Sequence, residues 1–168
     1  MVLPDEEISR LYRIRKTVMQ MLRDRGYLVE DFEINMSKHE FKSKYGKHMK
    51  REDLVINKKD NAGDQIYVFF LKERGGSNVS VATLMTCIRR MRSEKVFKAI
   101  LVLQNNLSSF AAKAISQFSD KIHFDVFQEA ELLVVPVFTD AEKKTLTEKL
   151  SYLEVTDPIA RYYGLKRD

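Results

Sequence analysis

The feature that most limits the fold of this chain is a run without a polar residue, Ala99-Ile-Leu-Val-Leu103. A strand that shows one face to water alternates apolar and polar residues, so continuous apolarity marks a strand covered on both faces. Two further apolar runs precede it, Leu54-Val-Ile56 and Ile66-Tyr-Val-Phe-Phe-Leu71, split by the turn-rich Lys58–Asp64. They read as adjacent antiparallel strands. Val81, Leu84, Met85, Ile88 and Met91 recur at helical spacing before the buried strand, and Ala111, Ala114, Ile115 and Phe118 do so after it. Ile122–Phe127 and Leu132–Phe138 supply the last predicted strands.

Two helices are expected ahead of the first strand. Ile8, Leu11, Tyr12, Val18, Met19 and Leu22 form one apolar stripe, interrupted by Arg15, with Asp5 as the predicted N-cap and Gly26 as the stop. In the second, Ser37 and Glu40 form a capping box, Met36 and Phe41 a hydrophobic staple, and Gly46 closes it. The order α-α-β-β-α-β-α-β-β defines an α/β fold, a mixed sheet flanked by helices. Thr139 with Glu142 opens a further helix to about Leu150, and Ser151–Asp168 is too short for a second core. The expected division is therefore 1–138 as the main domain, with 139–168 as a small remnant.

Composition narrows the function classes. Hydrophobic residues make up 44% and charged residues 32%, the proportions of a folded globular chain. No apolar stretch approaches the roughly 18 residues of a membrane span, so no membrane partner is expected. The single Cys87 rules out an internal disulfide and sits beside an apolar stripe, without a base to activate it. His39, His48 and His123 have no metal-site spacing, and Gly75-Gly76 lacks the flanking pattern of a phosphate loop. A nuclease site would need carboxylates on neighbouring strands. Asp53 supplies one, but the position two before Lys72 is Phe70, which cannot bind a metal. No catalytic residue, metal or cofactor is expected. The net charge is +5, with eight cations against three acids between Lys38 and Lys59, a solvated face or a surface for phosphates.

The string DPIARYYGLKR (Asp157–Arg167) has Asp157 as a cap, Pro158 at the first helical position and Gly164 as a stop. A helix of about two turns is unstable alone and must dock. This string, with LYRIRKTVMQMLRDRGYLV (11–29), MKREDL (49–54), DQIYVFF (64–70), FKAILVLQNNLSSFA (97–111), FQEAELLV (127–134) and EKKTL (142–146), resembles the shared jaw subunit of eukaryotic nuclear DNA-directed RNA polymerases. The C-terminal half of that family matches a small subunit of the archaeal polymerase, and the wording here is closest to plant members. The resemblance implies a restriction-endonuclease-like jaw domain without catalytic residues, joined to a shortened assembly domain. The family's motif runs on into Gly-Gln-Val-Val-Lys-Ile where this chain has Asp168, so a divergent, C-terminally truncated member is expected. Lys72–Glu94, the stretch after Val134 and a short linker near Leu150–Val155 also depart from the family pattern.

What the resemblance implies for function is a nuclear, non-catalytic polymerase subunit that lines the path of incoming downstream DNA and contacts transcription factors. Its partners would be the largest subunit, other polymerase subunits, transcription factors and downstream duplex DNA, the last held weakly and without sequence preference. The DNA-proximal candidates are Arg13, Arg15, Lys16, Arg23, Arg25, Lys42, Lys44, Lys47, Lys50 and Arg51. The polymerase-docking candidates are Asp157, Pro158, Arg161, Tyr162, Gly164 and Lys166. The different-class alternative is a free-standing basic α/β module that binds nucleic acid or a regulator without entering the polymerase.

Overall fold

The computed structural model describes residues 3–46, 48–73, 76–133 and Tyr162. Its helices are α1 (Asp5–Asp24), α2 (Asp31–Ile34), α3 (Lys38–Tyr45), α4 (Val81–Ser93), α5 (Ser109–Phe118) and α6 (Glu129–Leu133). Its strands are β1 (Ile56–Lys59), β2 (Gln65–Leu71), β3 (Lys98–Leu103) and β4 (His123–Gln128), and a 3-10 turn covers Arg51–Leu54.

The strands lie in the order β1-β2-β3-β4. β1 and β2 are antiparallel, with Ile56 opposite Val68, whereas β2–β3 and β3–β4 are parallel. The sheet is mixed and open, as expected. Because the parallel strands advance in one direction, both crossover helices fall on one face, the usual consequence of uniform handedness. Tyr67, Phe69, Leu71, Ala99, Leu101 and Leu103 pack there against Leu84, Ile88 and Met91 of α4 and Ala111 of α5. The alternate residues Val68, Phe70, Ile100 and Val102 face Leu11, Ile14, Val18 and Leu22 of α1, with Phe41 of α3. The unbroken apolarity of β3 is thus explained: both of its faces are core.

Several boundaries differ from expectation, each for a local reason. α1 is capped by Pro4 rather than Asp5, whose carboxylate is instead taken by Lys42 at 2.6 Å and Lys38 at 2.9 Å. The first strand starts at Ile56, not Leu54, because Asp53 Oδ2 accepts the Lys50 N–H at 3.0 Å and winds the preceding residues into a 3-10 turn. α2 was not expected; the Glu33 side chain accepts the Glu30 N–H at 2.9 Å and starts a single turn. Leu132–Phe138 does not begin as a strand. Glu131 Oε1 accepts the Gln128 N–H at 3.1 Å, and the chain turns helical through Leu133. Residues 134–138, the Thr139–Leu150 helix and the Asp157–Gly164 helix lie outside the described residues, Tyr162 excepted.

The cap and stop read from sequence for α3 are present, as is the Gly26 stop of α1. Ser37 Oγ accepts the Glu40 N–H at 3.1 Å, Met36 and Phe41 are both buried, and Gly46 ends α3 with φ +77°. α1 finishes in a Schellman turn: Tyr27 N–H reaches Leu22 O, Gly26 N–H reaches Arg23 O, and Gly26 takes φ +99°.

One buried carboxylate ties α1 to α6. Glu129, 1% exposed, lies between Arg10 of α1 at 2.8 Å and Arg51 of the 3-10 turn. The contacts are ionic by distance, and neither carboxylate oxygen completes a directed hydrogen bond. Such a group is strongly destabilising once half the pair is gone, because the remaining charge is stranded in the interior. Glu129→Ala is expected to cost roughly 3–5 kcal/mol in urea unfolding. Arg51→Met combined with Glu129→Leu is expected to recover most of that loss; a double variant as unstable as the single one would contradict a charge-burial origin.

Candidate interaction surfaces

The basic residues of α1 divide by helical phase. Leu11, Ile14, Val18 and Leu22 point to the sheet, so Arg13 and Lys16 point to solvent and are exposed. Arg15 falls on the inner face and is 4% exposed. Its guanidinium reaches the Glu33 carbonyl at 3.4 Å and stands 5.8 Å from the centre of the Tyr45 ring. The sequence interruption at Arg15 is an internal bracket for the α2–α3 segment. It is corrected here from a DNA-facing candidate to a buried one.

Arg51 and Arg25 are corrected on the same grounds. Arg51 is closed in beside Glu129 and donates to the Leu71 carbonyl at 3.4 Å. Arg25, with its side chain 8% exposed, donates through Nη1 to Asp125 Oδ2 at 2.9 Å and through Nε to the Tyr162 carbonyl at 2.8 Å. Arg23 stays at the surface but is paired with Asp31, and Lys42 is paired with Asp5. That pairing lowers the Asp5 carboxyl to about 2, through the Lys42 and Lys38 hydrogen bonds. Lys44 and Lys50 are exposed, Lys44 standing 5.5 Å from the Tyr45 ring centre. Lys47 lies outside the described residues.

Tyr162 is 5% exposed and belongs to the core cluster on the α1 side of the sheet. Its hydroxyl donates to Asp24 Oδ2 at 2.5 Å while its carbonyl takes the Arg25 proton. Of the docking candidates it is the one described, and it is seated on this chain. Asp157, Pro158, Arg161, Gly164 and Lys166 lie outside the described residues. Beneath Arg25, Asp125 also faces His123 Nε2 at 3.1 Å. Burial opposes ionisation of Asp125, but His123 and Arg25 outweigh it, and the carboxyl sits below its ordinary value.

The residues weighed for chemistry have structural partners. Asp53 caps the 3-10 turn, and Phe70 is in the core. The loop before α4 carries its own anion: Glu73 Oε1 accepts from the Ser80 N–H and hydroxyl at 3.1 Å and from Thr83 Oγ1 at 2.5 Å. The helix N-terminus is therefore already occupied by a carboxylate. Cys87 is buried in α4, and burial raises its thiol to about 11, far from a reactive thiolate. Among the described residues no three His, Cys, Asp or Glu side chains are placed to hold a metal, and no helix is long and apolar enough to cross a membrane.

Sequence reasoning missed Glu129, Arg10, Asp24 and Asp125. Apart from His123, two residues from Asp125, their partners are distant along the chain, and nothing in the local spacing marks them. A second basic run, Arg89 to Lys98, carries five cations against Glu94 alone, a signal that was visible in the sequence.

Comparison with known proteins places the chain. The family described as RNA polymerase Rpb5, N-terminal domain, matches residues 5–91. "DNA-directed RNA polymerase subunit 5-like protein 1" of Arabidopsis thaliana is 36% identical over 186 residues, covering 97% of this chain and 87% of that protein. "DNA-directed RNA polymerases I, II, and III subunit rpabc1" of Dictyostelium discoideum is 37% identical over 96% of this chain and 88% of its own length. "DNA-directed RNA polymerase V subunit 5A" of Arabidopsis thaliana is 36% identical over 98% of this chain and 81% of its own. With α/β architecture and similarity along nearly its whole length, the chain belongs to the subunit 5 family of DNA-directed RNA polymerases.

The Asp125 pair has a pH signature. A carboxyl with a depressed folded pKa adds stability above its unfolded value near 3.9 and loses it as pH falls through the folded value. Asp125→Asn is expected to be less stable than the parent by about 1–3 kcal/mol at neutral pH. In thermal melts that gap should narrow below about pH 4; a gap constant with pH would exclude the ion pair as its source.

Proposed function

We propose that this chain works as a non-catalytic subunit of a nuclear DNA-directed RNA polymerase. The observation that carries the proposal is similarity to proteins named as polymerase subunits, over 97% of this chain and 87% of the Arabidopsis relative.

In this reading residues 1–138 form the jaw, which lines the path of downstream DNA and offers a face to transcription factors. The exposed cations Arg13, Lys16, Lys44 and Lys50 are its DNA-proximal groups, with the ion-paired Arg23 and Lys42 at its margin. Their contribution is long-range and salt-sensitive rather than sequence-reading. Tyr162 packs on the core, and Asp157, Pro158, Arg161, Gly164 and Lys166 are the residues proposed to meet the largest subunit.

Co-purification of the tagged chain from nuclear extract tests the assignment. The expected outcome is stoichiometric recovery of the two largest polymerase subunits. If they are absent while a relative recovered in parallel brings them down, the chain does not assemble, and the free-standing module becomes the better description.

A further inference from the structure

We propose that the end of the sheet where α4 hands over to β3 binds single-stranded nucleic acid, with Phe97 as the stacking platform and Lys95, Lys98 and Lys121 as the phosphate contacts. Phe97 is 51% exposed although its neighbour Val96 is 1% exposed. Its backbone is fixed, because its carbonyl accepts the His123 N–H at 2.8 Å. Beside the ring, Gly63, Asp64, Gln65, Lys95, Phe97 and Lys98 line an open cleft of about 220 Å³.

The cations converge there by topology. Lys98 starts β3 and is in register with His123 of β4, two residues after Lys121; Lys59 of β1 is in register with Gln65. Lys59, Lys95, Lys98 and Lys121 are exposed, and none is in a salt bridge among the described residues. The acids at the same end are Asp60, whose carboxylate accepts the Ala62 and Asp64 N–H groups at 2.9 Å, with Asp64, Glu94 and Asp120. Of these, Glu94 is already engaged by the Tyr67 hydroxyl and by Arg90 at 4.0 Å. Asp64 and Gln65 put an acceptor and a mixed donor–acceptor at the cleft, groups suited to the hydrogen-bonding edge of a base.

Lys95 adds an independent observation. It is the one described residue other than glycine with positive φ, at 58°. It occupies the left-handed position of a Schellman turn, with Val96 N–H to Met91 O at 2.9 Å and Lys95 N–H to Arg92 O at 3.2 Å. Gly26 fills the equivalent position after α1 without strain. A lysine held where glycine is cheaper points to use of its charge. Duplex DNA keeps its base faces stacked away from Phe97, and an acidic peptide needs no flat apolar ring. An exposed aromatic among lysines with a polar cleft fits an unpaired base and its phosphates.

Fluorescence anisotropy of the full chain with a labelled oligothymidine of roughly 12 nucleotides, and with a duplex of the same length, tests this. The single strand is expected to bind more tightly, with log affinity falling against log salt at a slope of about −2 for three phosphates. Phe97→Ala should weaken binding roughly tenfold and keep the slope, while Phe97→Tyr binds like the parent. Lys95→Glu with Lys98→Glu and Lys121→Glu should flatten the slope. Lys95→Gly should raise the melting temperature and lower affinity, a pairing that a purely structural lysine would not give. Equal or tighter duplex binding, parent-like binding by Lys95→Gly or by the triple variant, or a stronger response to polyglutamate than to the oligonucleotide would overturn the proposal. Nothing in it requires polymerase assembly, so failed co-purification leaves it standing.

Discussion

Everything else in the molecule is arranged around two parallel strands that are apolar on both faces. β2 and β3 expose no side to water, so each face has to be covered by something the chain itself supplies. One cover comes automatically, since α4 and α5 are the crossovers that parallel pairing demands. The other cannot come from a crossover, because both crossovers fall on the same side. The N-terminal third, α1 to α3 with the 3-10 turn, exists to close that second face. Its long helix, capped short helix and Gly26 turn are therefore one device for laying apolar surface on a sheet.

The layers were legible because they rest on periodicity. The stripe of Ile8 to Leu22, the continuous run of β3 and the Ser37 cap each announce a local geometry, and each was found. What was not legible depends on side chains competing for backbone protons or meeting across the fold. Asp53 catching the Lys50 N–H delayed β1 by two residues, and Glu131 catching the Gln128 N–H turned an apolar run into a helix. Arg15 carries the charge of a surface residue and the burial of a core residue, and Arg51 is mostly enclosed. Helical phase already sets Arg15 apart from Arg13 and Lys16, but only the distant Glu129 reveals the role of Arg51.

The charges show a division of labour between the two cations. Arginines 10, 15, 25 and 51 bridge to carboxylates or carbonyls on other elements, a use suited to a weakly hydrated, permanently charged group with several donors. Most of the exposed cations singled out for polyanions are lysines, strongly hydrated and flexible, which suits transient contact with a mobile phosphate chain. A net charge of +5 therefore understates the contrast between an internally neutralised frame and its basic exterior.

Glu129 gives this architecture an order in time. The carboxylate that secures Arg10 and Arg51 belongs to the element after the last described strand, so a chain emerging from the ribosome presents α1 long before its counter-charge exists. Until then Arg10 and Arg51 lack the carboxylate that pairs them. α1 is thus made well before the carboxylate that secures it. During synthesis its apolar stripe is where a chaperone has most to gain by holding on.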